Sequence, residues 1–522
     1  MILPALLAVV LTDLFGVRPA PSGCEWPGFR MKARAGAVDL SGVRELRLTV
    51  RNLSHEPNRV SLVARSSNGA LSSADHTVLP ADGTGVIRLS LPCFPWVVDD
   101  RFFDVSRVVR IDAFRHADGR DLPFEIISLE GVETLEPRNP PVRVVRFEGE
   151  RLTDEYGQFA GGSWPGKIEN DGDLLNARKA EESDLASHPA PPAAATTFRP
   201  TGWFRVERNA SGWHLVDPQG REFFSIGMCS VYPADESKRS FVSANLKRKY
   251  GEAALLRFPD LMVRRLRSWG FNTVGYFSAP SVCKAGLPYV SGFKLDASGL
   301  TCGKKGRMPD VFSPGFTNAV RRAVRAEFIR SGKDPNCVGW FSDNELVWET
   351  FETRQERERA ATCYFSVVSR EIRAVAPHRL YLGTRFSTGS APAEVVRIAA
   401  EYCDVVTFND YSRVPEMDIP EGARDRPILF GEFHFGALDR GMPRPGLIAA
   451  YDQRERAKMF EEYLRAARRN PRCVGAHWFQ LYDEPFEGRN DGENYACGFL
   501  SVCDSPYPDM VEAARRFSGS GL

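Results

Sequence analysis

An antiparallel β-sandwich followed by a (β/α)8 barrel is the fold this sequence predicts, and three observations predict it. Residues 36 to 135 carry short alternating apolar segments; residues from 202 onward repeat an apolar strand and then an amphipathic helix; and two of those strands run into a glutamate. With 522 residues, 43% of them hydrophobic, the chain can build more than one core.

The first region contains Leu46 to Val50, Arg59 to Ala64, Gly85 to Leu91, Val108 to Phe114 and Phe124 to Leu129, with Asn68-Gly69, Asp82-Gly83 and Asp118-Gly119 as turns between several of them. Apolar side chains at every second position give each segment one buried face, as a sandwich requires. Its role is either carbohydrate binding, as such modules serve in many sugar enzymes, or purely structural. Ahead of it, Met1 to Leu11 is an apolar run of signal-peptide length, yet Arg18 is the first basic residue. A cleaved signal would imply a secreted or periplasmic protein; an ordered N-terminal segment, a cytoplasmic one. The expected division is 1–23 for that segment, 24–140 for the sandwich, 141–201 for a connection with a Pro/Ala stretch at 187–197, and 202–522 for the barrel.

In the barrel region, strands are expected at Phe223 to Met228, Asn272 to Phe277, Val338 to Ser342, Leu380 to Thr384, Val405 to Asn409, Ile428 to Phe430 and Val474 to Phe479, with the third of eight hidden between Cys283 and Val311. Helix faces with i, i+3, i+4 spacing fall at Phe316, Ala319, Val320, Ala323 and Val324, at Ala361, Tyr364, Phe365 and Val368, and at Phe460, Tyr463, Leu464 and Ala467. A doubly wound open sheet is the competing fold, but no Gly-rich phosphate turn follows the first strand.

Lysine plus arginine (68) balance aspartate plus glutamate (67), so no global field recruits nucleic acid or an anionic membrane. No apolar run past the N-terminus is long enough to span a bilayer. The eleven cysteines form no C-x-x-C pair, and neither His434 nor His477 has a second ligand at metal spacing; neither a catalytic metal nor another cofactor is expected.

The chemistry is carried by carboxylates. Gly339 to Glu345 and Pro427 to Phe435 each bring a glutamate, Glu345 and Glu432, to a strand end, where barrel chemistry sits. Two such carboxyls suit retaining glycoside hydrolysis, one protonating the leaving oxygen while the other attacks the anomeric carbon. Glu345 is assigned as acid/base and Glu432 as nucleophile, because Asn344 is placed to hydrogen-bond a sugar 2-hydroxyl. Tyr411 either hydrogen-bonds the nucleophile or fills the core. Arg385, His434 and His477 are candidates to line the pocket. Trp478 is either a stacking floor for the sugar or barrel filling. Glu484, Glu487, Asp491 and Glu493 read mostly as a solvated acidic loop, with some of them as the far wall of the cleft, as loops after barrel strands serve.

The segments Trp340 to Glu345, Gly431 to Gly441, His477 to Gln480, Asp491 to Tyr495 and Tyr507-Pro508 resemble the family-50 β-agarases, within the clan of retaining (β/α)8 glycosidases. That resemblance favours the stacking role for Trp478. It implies a sandwich-plus-barrel layout and cleavage of β-1,4 links between D-galactose and 3,6-anhydro-L-galactose in a poly- or oligosaccharide. One departure stands out: where that family continues Asn-Trp-Ser-Asp after the second strand, this chain has Tyr276-Phe277-Ser278-Ala279. Alternatives are another β-linked glycan, transglycosylation through the same intermediate, or a non-catalytic carbohydrate-binding protein.

Overall fold

The structure, a computed structural model, describes residues 8–20, 26–92, 96–97, 102–115, 123–134, 142–143, 151–190, 195–234, 241–296, 299, 301–302, 308–387 and 391–519. The start of the apolar N-terminal run, the Asp118-Gly119 turn, Cys24, Cys93 and the boundaries at 23/24 and 140/141 lie outside the described residues.

Two antiparallel sheets form the N-terminal part. One has the order Ala8–Val10, Phe124–Glu133, Val43–Asn52, Thr84–Ser90; the other Phe15–Pro19, Gly28–Ala33, Val108–Phe114, Asn58–Ser66, Asp75–Leu79. Leu46, Leu48 and Val50 of the first and Val60, Leu62, Ile111 and Ala113 of the second share one buried core. Arg47, Thr49 and Arg51, at the intervening positions, are partly or fully exposed, so period-two alternation decides which face is buried. The last residues of the N-terminal apolar run form a strand, Ala8 pairing with Val132 and Val10 with Glu130.

The second part is a nine-stranded parallel sheet with helices packed on one face. Its order is Leu380–Tyr381, Cys337–Ser342, Tyr289–Phe293, Thr273–Val274, Ser225–Met228, Cys473–Trp478, Ile428–Phe433, Val406–Asn409, Phe386–Ser387. The third strand, Tyr289–Phe293, falls inside the irregular stretch where it was expected. The sheet curls, because its two edge strands are neighbouring pieces of one segment: Leu380 pairs with Gly339 and Phe386 with Phe408. On the helix side, Phe460 and Tyr463 of Gln453–Arg469 and Tyr364 and Phe365 of Arg354–Val375 fill one core. On the other side, Val290, Val338, Leu382, Val405, Leu429 and Val474 meet in a separate cluster with Phe204 and Leu215 of the hairpin Arg205–Asn209/Gly212–Val216.

The connecting region contributes the helix Asp171–Ser187, which sequence periodicity does not reveal because it is polar nearly all round. It is held by a buried ionic network. Arg265 donates to Glu181 (2.5 and 2.7 Å) and to Asp504 (2.6 and 2.7 Å), and Lys249 reaches Asp504 at 3.1 Å and Glu181 at 3.3 Å. Burial works to raise the Asp504 carboxyl, but Arg265 and Lys249 outweigh it and hold the group well below the usual carboxylate range. Its contribution to stability is therefore present above the ordinary aspartate pKa and lost as pH falls below it. Arg265→Ala would leave two carboxylates short of a partner, and the expected loss is about 3–5 kcal/mol, read as a lower urea midpoint.

Polar contacts join the two parts. Ser73 Oγ donates to the Gly446 carbonyl at 2.6 Å, and Arg413 pairs with Asp75 at 3.0 Å.

Candidate active site

A cavity of about 980 Å³ opens where strand ends of the parallel sheet meet the N-terminal sheets. Glu345, Glu432, Asn344, Tyr411 and His434 line it. Glu432 lies within the buried strand Ile428–Phe433, and Glu345 three residues beyond Cys337–Ser342.

Both Glu432 oxygens have donors: Arg385 Nη2 at 2.7 Å on Oε1 and the Tyr411 hydroxyl at 2.6 Å on Oε2. Burial raises its pKa first, the charge of Glu345 adds to that, and Arg385 and Tyr411 oppose; the carboxyl stands at about 6. Glu345 Oε1 accepts from Asn409 Nδ2 at 2.9 Å, and the same nitrogen lies 3.2 Å from Asn344 Oδ1. Asn409 ends the strand Val406–Asn409 and thus ties the Asn344-Glu345 pair to the neighbouring strands. Its place at a strand end beside Asp410-Tyr411 is the signal that was available for it in the sequence.

Backbone strain concentrates here. Phe277 (φ 63°), Asp343 (φ 59°), Glu345 (φ 51°) and Arg385 (φ 55°) are all left-handed non-glycine residues just past or between strands of the sheet. Such conformations cost about 1–3 kcal/mol each and persist where surrounding contacts over-determine them.

Three expected pocket residues lie elsewhere. Arg385 is fully buried behind Glu432, its guanidinium stacked 4.9–5.2 Å from the rings of Tyr276, Phe277 and Phe341. It meets the carboxylate instead of the cavity. His477 points into the sheet's inner layer and shares a 2.9 Å hydrogen bond with Ser225. Trp478, the next residue, faces the helices, packed on Phe433, Phe460 and Phe499 with its indole N–H on the Cys497 carbonyl at 2.8 Å. Strand alternation explains the pair, since successive side chains take opposite faces and neither reaches the open end. Phe479 is the aromatic that lines the cavity there. His434 does line it, but burial pushes its pKa down to about 3, and Nε2 accepts from the Leu447 N–H at 2.9 Å, so it is a neutral acceptor.

In the loop after Cys473–Trp478, Glu484 departs from the solvated reading, whereas Asp491 and Glu493 line the cavity as a cleft wall would. Glu484 is buried, 3.3 Å from Arg489, which also pairs with Asp491 and Glu493. Burial pushes Glu484 up to about 8 against the pull of Arg489. Arg489, Asp491, Glu493 and Tyr495 form one wall, while Trp26, just ahead of the strand Gly28–Ala33, and Arg59, His76 and Phe114 from the N-terminal sheets form another. Those four lie hundreds of residues from Glu432, and nothing local in the sequence marks them.

No family model matches the chain. Beta-agarase B of Vibrio sp. (strain JT0107) is 27% identical over 574 aligned residues, covering 80% of this chain and 59% of that protein. Beta-agarase A of the same organism is 25% identical, covering 70% of this chain and 52% of its own length. The chain thus spans little more than half the length of these relatives. Among solved structures, the agarase AgWH50C superposes with a TM-score of 0.70 at 25% identity, covering 99% of both chains. An exo-beta-agarase superposes with a TM-score of 0.70 at 22% identity, covering 98% of this chain and 97% of that one.

Proposed function

Since the chain belongs with the β-agarase-like glycoside hydrolases of family 50, we propose that it is a retaining β-glycosidase cleaving β-1,4-galactosyl links in agarose or a related galactan. The observation that carries this reading is the occupancy of Glu432: donors on both oxygens favour its ionised form, as a nucleophile needs, in the same cavity as Glu345.

In this reading Glu432 attacks the anomeric carbon as Glu345 gives its proton to the departing oxygen, leaving a covalent glycosyl-enzyme. Glu345, now ionised, removes a proton from water, which displaces Glu432 and restores the starting state. Asn344 is assigned the sugar 2-hydroxyl, an interaction that strengthens in the transition state. His434 and Tyr411 border the bound sugar, and Tyr411 also orients Glu432.

The curled sheet is read as a closed (β/α)8 barrel of residues 202–522, with 380–387 as its fifth strand in two pieces. Support comes from the inner cluster, to which strands all round the sheet contribute. Residues 24–140 are read as the sandwich domain, and its aromatic Trp26 and Phe114 in the cavity support a part in holding the glycan.

Chromatography of products from agarose oligosaccharides, other β-galactans and β-glucans tests the proposal. Release of a disaccharide from the agarose series is expected. Turnover of another series alone would keep the mechanism and reassign the sugar, and no turnover of any would overturn the proposal.

A further inference from the structure

Asp343 stands between the strand Cys337–Ser342 and the Asn344-Glu345 pair, without exposed surface. Its N–H donates to the Phe293 carbonyl at 2.8 Å, at the end of the neighbouring strand Tyr289–Phe293. Its Oδ1 accepts from the N–H groups of Leu295 and of Asp296, the latter at 3.0 Å. Its Oδ2 accepts from the Tyr364 hydroxyl at 2.6 Å, on the helix Arg354–Val375. One carboxylate therefore joins two strand ends and a helix through three donors.

What it joins faces the cavity on both sides. Lys294 and Asp296 line the wall, with Lys294 Nζ 5.5 Å from the centre of the Phe277 ring. Two residues along the chain, Glu345 leaves the strand in the same left-handed backbone conformation as Asp343. A carboxylate buried only for packing would be costly, because desolvation favours the neutral form. Here burial does raise the group, to about 6, while Tyr364 and the two N–H groups pull it down.

We propose that Asp343 is a positioning residue for proton transfer: its carboxylate locks Glu345 and the wall segment 293–296 into one unit, so that Glu345 meets the leaving oxygen at the right distance. The inference rests on Glu345 being the general acid. Misplacing a reacting group by about 1 Å costs on the order of 10²-fold in rate. Asp343→Asn keeps the size but loses the charge that three donors share. Tyr364→Phe removes one donor without touching Asp343.

The test compares each variant with wild type and with Glu345→Gln on two substrates: the oligosaccharide, and a dinitrophenyl glycoside whose leaving group departs without a proton. Asp343→Asn should lose on the order of 10²-fold in kcat/KM on the oligosaccharide and only a few-fold on formation of the glycosyl-enzyme from the dinitrophenyl glycoside. Tyr364→Phe should lose less with the same contrast, and it carries the test if Asp343→Asn does not fold. Equal losses on both substrates, or none on either, would overturn the proposal. If Glu345→Gln itself shows no contrast between substrates, the assignment of Glu345 fails instead, and this inference falls with it.

Discussion

Glu432→Ala should reduce turnover by on the order of 10⁴-fold or more, because without the carboxylate no covalent intermediate forms. That is a barrier increase of at least about 5.5 kcal/mol. The substitution also leaves Arg385 buried without its anion, so some loss of stability is expected alongside. Glu432→Gln separates the two effects: the amide can still accept from Arg385 while attacking nothing. Full activity in either variant would remove Glu432 from the mechanism. The same group sets the acid limb of the pH profile. In the proposed double displacement Glu432 attacks as the carboxylate, so with its pKa at about 6 the rate should fall as pH drops through that value. Arg385→Met removes the leading influence that holds the carboxyl down, so the limb should move to higher pH.

Glu345→Gln should cost about 10²- to 10⁴-fold on oligosaccharides, the usual range for a missing general acid. The loss should depend on the leaving group, since dinitrophenolate departs without a proton and the first step then survives. The second step, which needs a general base, becomes slow, and added azide should restore turnover by attacking the glycosyl-enzyme in place of water. A β-glycosyl azide would mean two inversions and hence retention. An α-azide, or no rescue, would argue against the double displacement.

The parts of this molecule that were legible in its sequence are those decided locally. The strand holding Glu432 is a run of six buried residues, and the helix around Phe460 and Tyr463 shows its apolar face at helical spacing. What was not legible depends on contacts across the fold. The strand expected at Asn272 to Phe277 is there but only two residues long, Thr273–Val274, since Phe277 already has a left-handed backbone. Arg385 reads as a polar residue past a strand, and only the aromatic faces of Tyr276, Phe277 and Phe341 around it explain its burial. Trp478 was given a place at the sugar by resemblance, but its strand register turns it toward Phe460. Asp343 looks like one more acidic residue until the Leu295 and Asp296 N–H groups and the Tyr364 hydroxyl are seen around it.

The segment 380–387, which pairs with both edges of the curled sheet, also carries Arg385, the partner of Glu432. The seam of the sheet and the charge balance of Glu432 are therefore made by the same few residues. A chain that has folded most of its strands but not joined this seam holds Glu432 without its guanidinium, in a setting where burial alone favours the neutral acid. Closure of the sheet and the ionisation of Glu432 are thus coupled: a change that loosens the seam would also shift the titration of a carboxyl in the cavity.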